Sequence, residues 1–335
     1  MRILINAEGR AGLAAGIAAL QVGRPALEVV EAAIRPVEAD PEIHSVGLGG
    51  WTNLLGQSQC DAMIMDGGTR QSGAIGGLTG YLHAVSVARA VMERLPHVVL
   101  VGEGANRFAA EIGAERAEMV TELARREHDR WLREELAPKD AERLRAELSA
   151  EEAVSRRGDL EVTADPARSV ASGRAPLIDA AWASARKVSE KGTVICLVID
   201  REGRMAAGVS SSGWAYKYPG RVGDSGVLGA GLYADARYGA CGCTHTGEMT
   251  IRAGTARSVV LAMRHGATVE DACHEAVADL RALEGGLQGP VAIHAIDRDG
   301  RVCVVCTQPA GSEPGYFAWR EDADGLPAES KARSR

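Results

Sequence analysis

Phenylalanine is almost missing from this sequence, with two in 335 residues, and aromatic side chains of all kinds make up 4%. Beside them stand 40 glycines, so the interior is expected to close through tight backbone packing and many turns rather than through large rings. No apolar run approaches the ~20 residues of a membrane span. Excess positive charge is also missing: the net charge is −7. That balance argues against nucleic acid or an anionic membrane as a partner. The opening run Met1-Arg2-Ile3-Leu4-Ile5-Asn6-Ala7-Glu8 puts an acid where a leader would keep its apolar stretch, so no export signal is expected. The cysteines offer no even framework. Seven of them (Cys60, Cys196, Cys241, Cys243, Cys273, Cys303, Cys306) sit mostly inside apolar patterns, which fits buried thiols in a reducing cytoplasm better than disulfides.

The length suits one large domain or two ordinary ones and a sizeable core. Residues 2–6 read as a short strand. Arg10–Val22 and Pro25–Val37 read as amphipathic helices, the second with Ala26, Val29, Val30 and Ile34 on one face. Glycine-punctuated strand and loop follow from Ser45 to Gly77. Leu82–Leu95 is predicted helical, His97–Val101 a strand and Asn106–Ile112 a helix. From Glu115 to Lys191 the character changes: residues 125–135 and Lys139–Ala153 are dense in alternating charge and read as solvated helices. Ser155–Pro176 reads as a polar linker. Further on, Met249–His265 is predicted as one helix, and Thr268-Val269-Glu270-Asp271 carries an N-cap signature for a helix reaching Leu283. Pro290–Ile296 and Arg301–Thr307 read as a hairpin, and residues from Glu321 onward as a frayed tail.

The most informative stretch runs from Lys191 to Glu248. Gly192-Thr193-Val194-Ile195-Cys196-Leu197-Val198-Ile199 reads as a buried strand rich in β-branched residues. A turn at Asp200–Gly203 leads into a second strand, Arg204–Ser210. Then come Ser210-Ser211-Ser212-Gly213, Pro219-Gly220-Arg221-Val222-Gly223-Asp224-Ser225, Gly229-Ala230-Gly231 and Thr244-His245-Thr246-Gly247-Glu248. Hydroxyls, one arginine, one aspartate and many glycines in so short a span suit a small polar pocket where backbone approaches a ligand closely.

These pieces, in this order, resemble the β-subunit of the threonine-type N-terminal-nucleophile amidohydrolases: glycosylasparaginase, isoaspartyl peptidase and plant-type L-asparaginase. Asp61-Ala62-x-x-Met65-Asp66-Gly67, Gly73-Ala74-Ile75-Gly76 and Val98-x-Leu100-Val101-Gly102-Glu103 are similar to the family's α-subunit, so the likeness covers nearly the whole chain. It implies an α+β fold, an αββα sandwich of two mostly antiparallel sheets between helical layers. Residues 1–192 would form an α-subunit, with the charged linker 115–191 at its end. Residues 193–335 would form a β-subunit beginning at the nucleophile, and both would make one domain. It also implies cleavage between Gly192 and Thr193, a homodimer of αβ units, a small amino-acid amide or β-aspartyl substrate, and neither cofactor nor metal.

Roles follow residue by residue. A threonine opening a strand is ordinarily only β-propensity. As a new chain terminus, Thr193 instead supplies a nucleophilic hydroxyl and, in its α-amine, the base for it. Gly192 leaves the scissile carbonyl accessible. Ser211 falls 18 residues after Thr193, where the family places a threonine whose hydroxyl bonds the nucleophile; Ser210 and Ser212 compete for that role. Arg221 and Asp224 match the family's clamp for an α-carboxylate and an α-ammonium, with the Gly247 carbonyl beside them; an ordinary Arg-x-x-Asp would be a salt bridge at a turn. Thr244 and the His245 N–H match the oxyanion hole. His245 departs from the glycine usual there, and a positive φ would cost it roughly 1–2 kcal/mol.

Other readings compete. Gly47-Leu48-Gly49-Gly50 lacks the spacing of a dinucleotide loop. Cys241, Cys243 and His245 alternate, with Cys303-x-x-Cys306 in a later strand, but such short patterns are weak signals of zinc. A non-catalytic amino-acid-binding relative is the third alternative. Trp51, Asn53, Trp214 and Tyr216 are the residues expected on the leaving-group side. The missing tryptophan near Asn6 disfavours sugar-linked asparagine.

Overall fold

The computed structural model describes residues 1–134, 176–187, 192–322 and 325–334. The charged run Lys139–Ala153 and nearly all of Ser155–Pro176 lie outside them. Two sheets carry the fold. The larger has the order β12-β11-β1-β5-β6-β2-β3-β4. Its strands are β1 (Arg2–Asn6), β2 (Cys60–Asp66), β3 (Ser72–Leu78), β4 (Val99–Val101), β5 (Val194–Ile199), β6 (Met205–Ser211), β11 (Gly315–Arg320) and β12 (Ser330–Lys331). The smaller runs β13-β10-β9-β8-β7, built from β7 (Leu232–Asp235), β8 (Gly239–His245), β9 (Val291–Asp297), β10 (Val302–Cys306) and β13 (Arg333–Ser334). All pairings are antiparallel except β3 with β4 and β10 with β13.

The alternation along β5 shows how the layers form. Val194, Cys196 and Val198 point to a cluster with Leu13, Ile17, Val30 and Ile34 of two helices, α1 (Arg10–Gln21) and α2 (Ala26–Glu38). Ile195, Leu197 and Ile199 point the other way, into a second cluster with Ala240, Ala292, Ile296 and Val304 of the smaller sheet. Period-two patterning with both faces apolar is what a central strand buried on each side requires. The outer face of the smaller sheet is covered by α8 (Thr255–Arg264) and α9 (Val269–Ala282) through Cys241, Cys243, Ile293 and Val305. The larger sheet takes α3 (Ala84–Arg94) and α4 (Gly102–Glu111) over β2 and β3. Helix, sheet, sheet, helix is therefore the layer order, as the sequence led us to expect. Strands from either side of Thr193 interleave in the larger sheet, with β5 seated between β1 and β6.

Thr268 caps α9 as its spacing predicts, accepting from the Asp271 N–H at 3.1 Å. Three expectations need correction. The stretch Met249–His265 is two helices, α7 (Gly247–Ala253) and α8, because Gly254 between them takes a left-handed φ of 60°. Residues beyond Glu321 are not a frayed tail: β12 pairs with β11, β13 pairs with β10, and Ala332 between them is buried in the core between the sheets. The charged helix α5 (Glu122–Glu134) is solvated on one side only. It buries His128, Trp131 and Leu132, and the Trp131 ring stacks on Tyr216 at 4.2 Å. A further helix, α6 (Pro176–Lys187), joins that cluster through Ala180. Among the described residues no helix is long and apolar enough to cross a membrane.

Candidate active site

Thr193 sits immediately before β5, buried, on the side of that strand that faces the smaller sheet. The Thr193 hydroxyl lies 2.8 Å from the Gly192 carbonyl oxygen. Of the three serines in competition, Ser211 is the one that meets it. Its Oγ is 3.2 Å from Thr193 Oγ1, donates to the Gly192 carbonyl at 3.0 Å and accepts from the Gly213 N–H at 2.9 Å. Ser210 turns to the other face of β6 and donates to Glu38 at 2.6 Å. Ser212 lies 3.8 Å from the Cys60 thiol. Strand alternation separates Ser211 from the other two.

Asn6, at the end of the neighbouring β1, fixes the backbone of Thr193. Its Nδ2 donates to the Thr193 carbonyl at 2.5 Å and its Oδ1 accepts from the Ile195 N–H at 2.8 Å. The same Nδ2 also meets a carboxylate oxygen of Glu8 at 2.6 Å. Loss of water around Glu8 pushes its carboxyl up to about 7. Neither Asn6 nor Glu8 carried a role in the sequence, since the contact spans 187 residues.

Arg221 and Asp224 come together, but the guanidinium is already engaged. Arg221 Nε and Nη2 donate to the two carboxylate oxygens of Glu248 at 3.0 and 3.1 Å, and the guanidinium lies 4.4 Å over the Trp214 ring. Its Nη1 faces Gly213, within 3.0 Å of where a Cβ on that glycine would fall. Asp224 is buried, accepts from Thr250 Oγ1 at 2.7 Å, and has Gly247 so close that a Cβ there would fall 2.7 Å from its Oδ1. The loop bearing both is tied down by Asp61, which accepts from the N–H groups of Gly77 and Gly223 at 2.8 Å each. Below it the buried Lys217 donates to the Gln59 carbonyl at 2.7 Å, and burial pushes that amine's pKa down. Asp61 and Glu248 stood inside recognised motifs without a role, while nothing in the sequence marked Lys217.

Burial raises Asp224 from its ordinary 3.8 to about 6, against the opposing pull of the Thr250 bond and Arg221. The folded state therefore holds this proton more tightly than the unfolded chain. The resulting penalty is absent below pH 3.8, grows between 3.8 and 6, and is complete above 6. The difference corresponds to roughly 3 kcal/mol. Asp224→Asn removes the charge and is expected to stabilise the fold by up to about that amount at pH 8 and by nothing below pH 4. Urea unfolding across that range measures it.

Thr244 is buried near the end of β8, and its Oγ1 lies 2.7 Å from Nδ1 of His245. His245 takes φ 82°, the left-handed value suspected for a position where glycine is usual. Ile195, two residues after Thr193, packs over Gly242, two residues before Thr244, so the two segments face each other across the layer between the sheets. Trp214 stays beside this site under Arg221, whereas Asn53 bonds Gln57 and Gln59 within its own loop and Tyr216 supports α5. Cys241, Cys243 and Cys303 pack in the core beneath α8 and α9. No group of three or more His, Cys, Asp or Glu among the described residues has a metal-binding arrangement.

Residues 7–316 match the model of a family described as asparaginase. The chain is 34% identical over 284 residues to an isoaspartyl peptidase of Salmonella typhimurium, covering 84% of this chain and 77% of that one. It is 32% identical over 240 residues to the N(4)-(beta-N-acetylglucosaminyl)-L-asparaginase of Rattus norvegicus, covering 71% and 64%. The enzyme of the same name from Elizabethkingia miricola is 33% identical over 241 residues, covering 72% and 57%. The chain thus spans under two thirds of the length of these last two relatives.

Proposed function

Because this chain belongs to the asparaginase family, and is thereby an amidohydrolase, we propose that it activates itself by breaking the Gly192–Thr193 bond and then hydrolyses the β-amide of asparagine or of β-aspartyl compounds. One observation carries the reading: the Thr193 hydroxyl, the Ser211 hydroxyl and the Gly192 carbonyl form a closed triangle with sides of 2.8, 3.2 and 3.0 Å. A hydroxyl held this close to the carbonyl before it is poised for an N→O acyl shift, while the second hydroxyl polarises that carbonyl. The shift frees the Thr193 α-amine, whose pKa of roughly 7.7–8 leaves part of it neutral at physiological pH, and ester hydrolysis then restores the hydroxyl.

In the mature site that amine takes the hydroxyl proton as Thr193 Oγ attacks the substrate β-carbonyl. Thr244 Oγ1 and the His245 N–H hold the oxyanion, and the ammonium returns its proton to the departing amine. Water then attacks the acyl ester by the same route in reverse, releasing aspartate. Arg221, oriented by Glu248 and Trp214, takes the α-carboxylate. Asp224 and the Gly247 carbonyl take the α-ammonium. The αβ unit works as a homodimer, and the buried thiols of its seven cysteines suit the cytoplasm.

A second reading, hydrolysis of the sugar-linked amide, draws on the likeness to the rat and Elizabethkingia enzymes. A kinetic panel of asparagine, a β-aspartyl dipeptide and N-acetylglucosaminyl-asparagine separates the two. We expect kcat/KM on the better of the first two to exceed that on the third by roughly tenfold or more. A reversed order moves the assignment to glycosylasparaginase, and turnover of none with binding retained makes the chain a non-catalytic relative.

A further inference from the structure

We propose that Glu8 is the proton-transfer group of the self-cleavage step, which places a carboxyl in the processing machinery of this chain; this rests on the reading that the chain breaks before Thr193. While the Gly192–Thr193 bond is intact, Thr193 has an amide nitrogen and no amine, so the base that serves the mature enzyme does not yet exist. Something else must take the hydroxyl proton. The groups bonded to Thr193 Oγ1 are a carbonyl and the Ser211 hydroxyl, neither of which is a base near neutral pH.

Glu8 stands beside both residues of the bond. Its Oε1 lies 3.2 Å from where a Cβ on Gly192 would fall. Its Oε2 shares Asn6 Nδ2 with the Thr193 carbonyl, at 2.6 and 2.5 Å. A side chain at 192 would also fall 2.3 Å from Ser45 Cβ, so the bare glycine is what leaves the carboxyl room beside the scissile peptide. The charged neighbour acting on it is Glu329, itself paired with Lys331 at 2.9 Å. No cation among the described residues forms an ion pair with Glu8. Loss of surrounding water thus holds it near 7, where proton transfer in both directions is efficient.

The step balances as follows. Thr193 Oγ forms a bond to the Gly192 carbonyl carbon as its proton passes, through one water, to the Glu8 carboxylate. The C–N bond then breaks as Glu8 returns that proton to the Thr193 nitrogen, leaving an ester on Oγ and a free amine. Water cleaves the ester, giving the Gly192 carboxylate and the restored hydroxyl.

Glu8→Gln keeps the size and an oxygen for Asn6 while removing the exchangeable proton. Chain breakage is to be followed by intact mass on freshly made full-length protein from pH 5 to 9, with N-terminal sequencing of the new fragment. We expect wild type to break before Thr193 at a rate rising with pH through about 7. Glu8→Gln is expected to break about 100-fold more slowly, without that rise. Formate added to Glu8→Ala is expected to restore part of the rate, which guards against a variant that is merely misfolded. If Glu8→Gln breaks at the wild-type rate with the wild-type pH profile, Glu8 has no such role. If wild type itself never breaks there, the underlying self-cleavage reading fails first and this one with it.

Discussion

Replacing Thr193 by alanine is expected to leave a single chain of 335 residues that never divides and never turns over substrate. In the proposed scheme the hydroxyl removed is the attacking atom of both reactions, and no other described group stands in its place. Ser211, 3.2 Å away, already has its proton committed to the Gly192 carbonyl and its lone pair to the Gly213 N–H. Loss of a nucleophile from an assembled site removes about 10⁴- to 10⁶-fold of kcat. Serine at the same position separates chemistry from geometry. It keeps the hydroxyl but loses the β-methyl that limits χ1, so processing is expected to survive at a reduced rate. Mass analysis and an ammonia-release assay report both events. Division of the alanine variant, or asparagine-type hydrolysis by it, would overturn the assignment of the nucleophile.

The sequence singled out Thr193 as the proposed nucleophile because the local signal and the tertiary position coincide. Val194–Ile199 is apolar on both faces, which forces a central strand, and the residue just before a central strand is held in place by two neighbours. The same logic made the layers legible, since helix and strand periods survive in the one-dimensional pattern. Legibility failed where a structure depends on a single φ or on a distant partner. Gly254 splits one apolar period into two helices through its left-handed backbone, and the period itself runs on unchanged. The tail after Glu321 is polar, yet Ala332 lies between the sheets, because pairing with β11 and β10 needs backbone more than apolar side chains.

Among the site residues, Arg221 and Asp224 were visible as a pattern, but the Glu248 that orients the guanidinium lies 27 residues on. Glu8 was visible only as an acid interrupting an apolar opening. Its nearness to Gly192 exists because β1 and β5 are neighbours, and no short motif encodes that neighbourhood.

The oxyanion donor gives the second large effect. Thr244→Val preserves shape and removes the hydroxyl, and kcat is expected to fall about 10²- to 10³-fold with KM nearly unchanged, since the interaction is made chiefly in the transition state. The His245 imidazole adds a condition. A hydroxyl has one proton, and at 2.7 Å from Nδ1 Thr244 either gives that proton to the ring or accepts one from it. Only the second arrangement leaves the proton free for an oxyanion, so the proposed role of Thr244 requires hydrogen on Nδ1. His245 holds φ 82° at a strain of roughly 1–2 kcal/mol, which glycine would relieve while keeping the N–H. His245→Gly is therefore expected to raise stability and to lower kcat in the wild-type background. In Thr244→Val the same change is expected to leave kcat alone, because the ring acts through the hydroxyl. A double-mutant cycle on kcat measures this directly: equal losses in both backgrounds would show that the imidazole meets the substrate itself, and the relay from Nδ1 through Thr244 would be wrong.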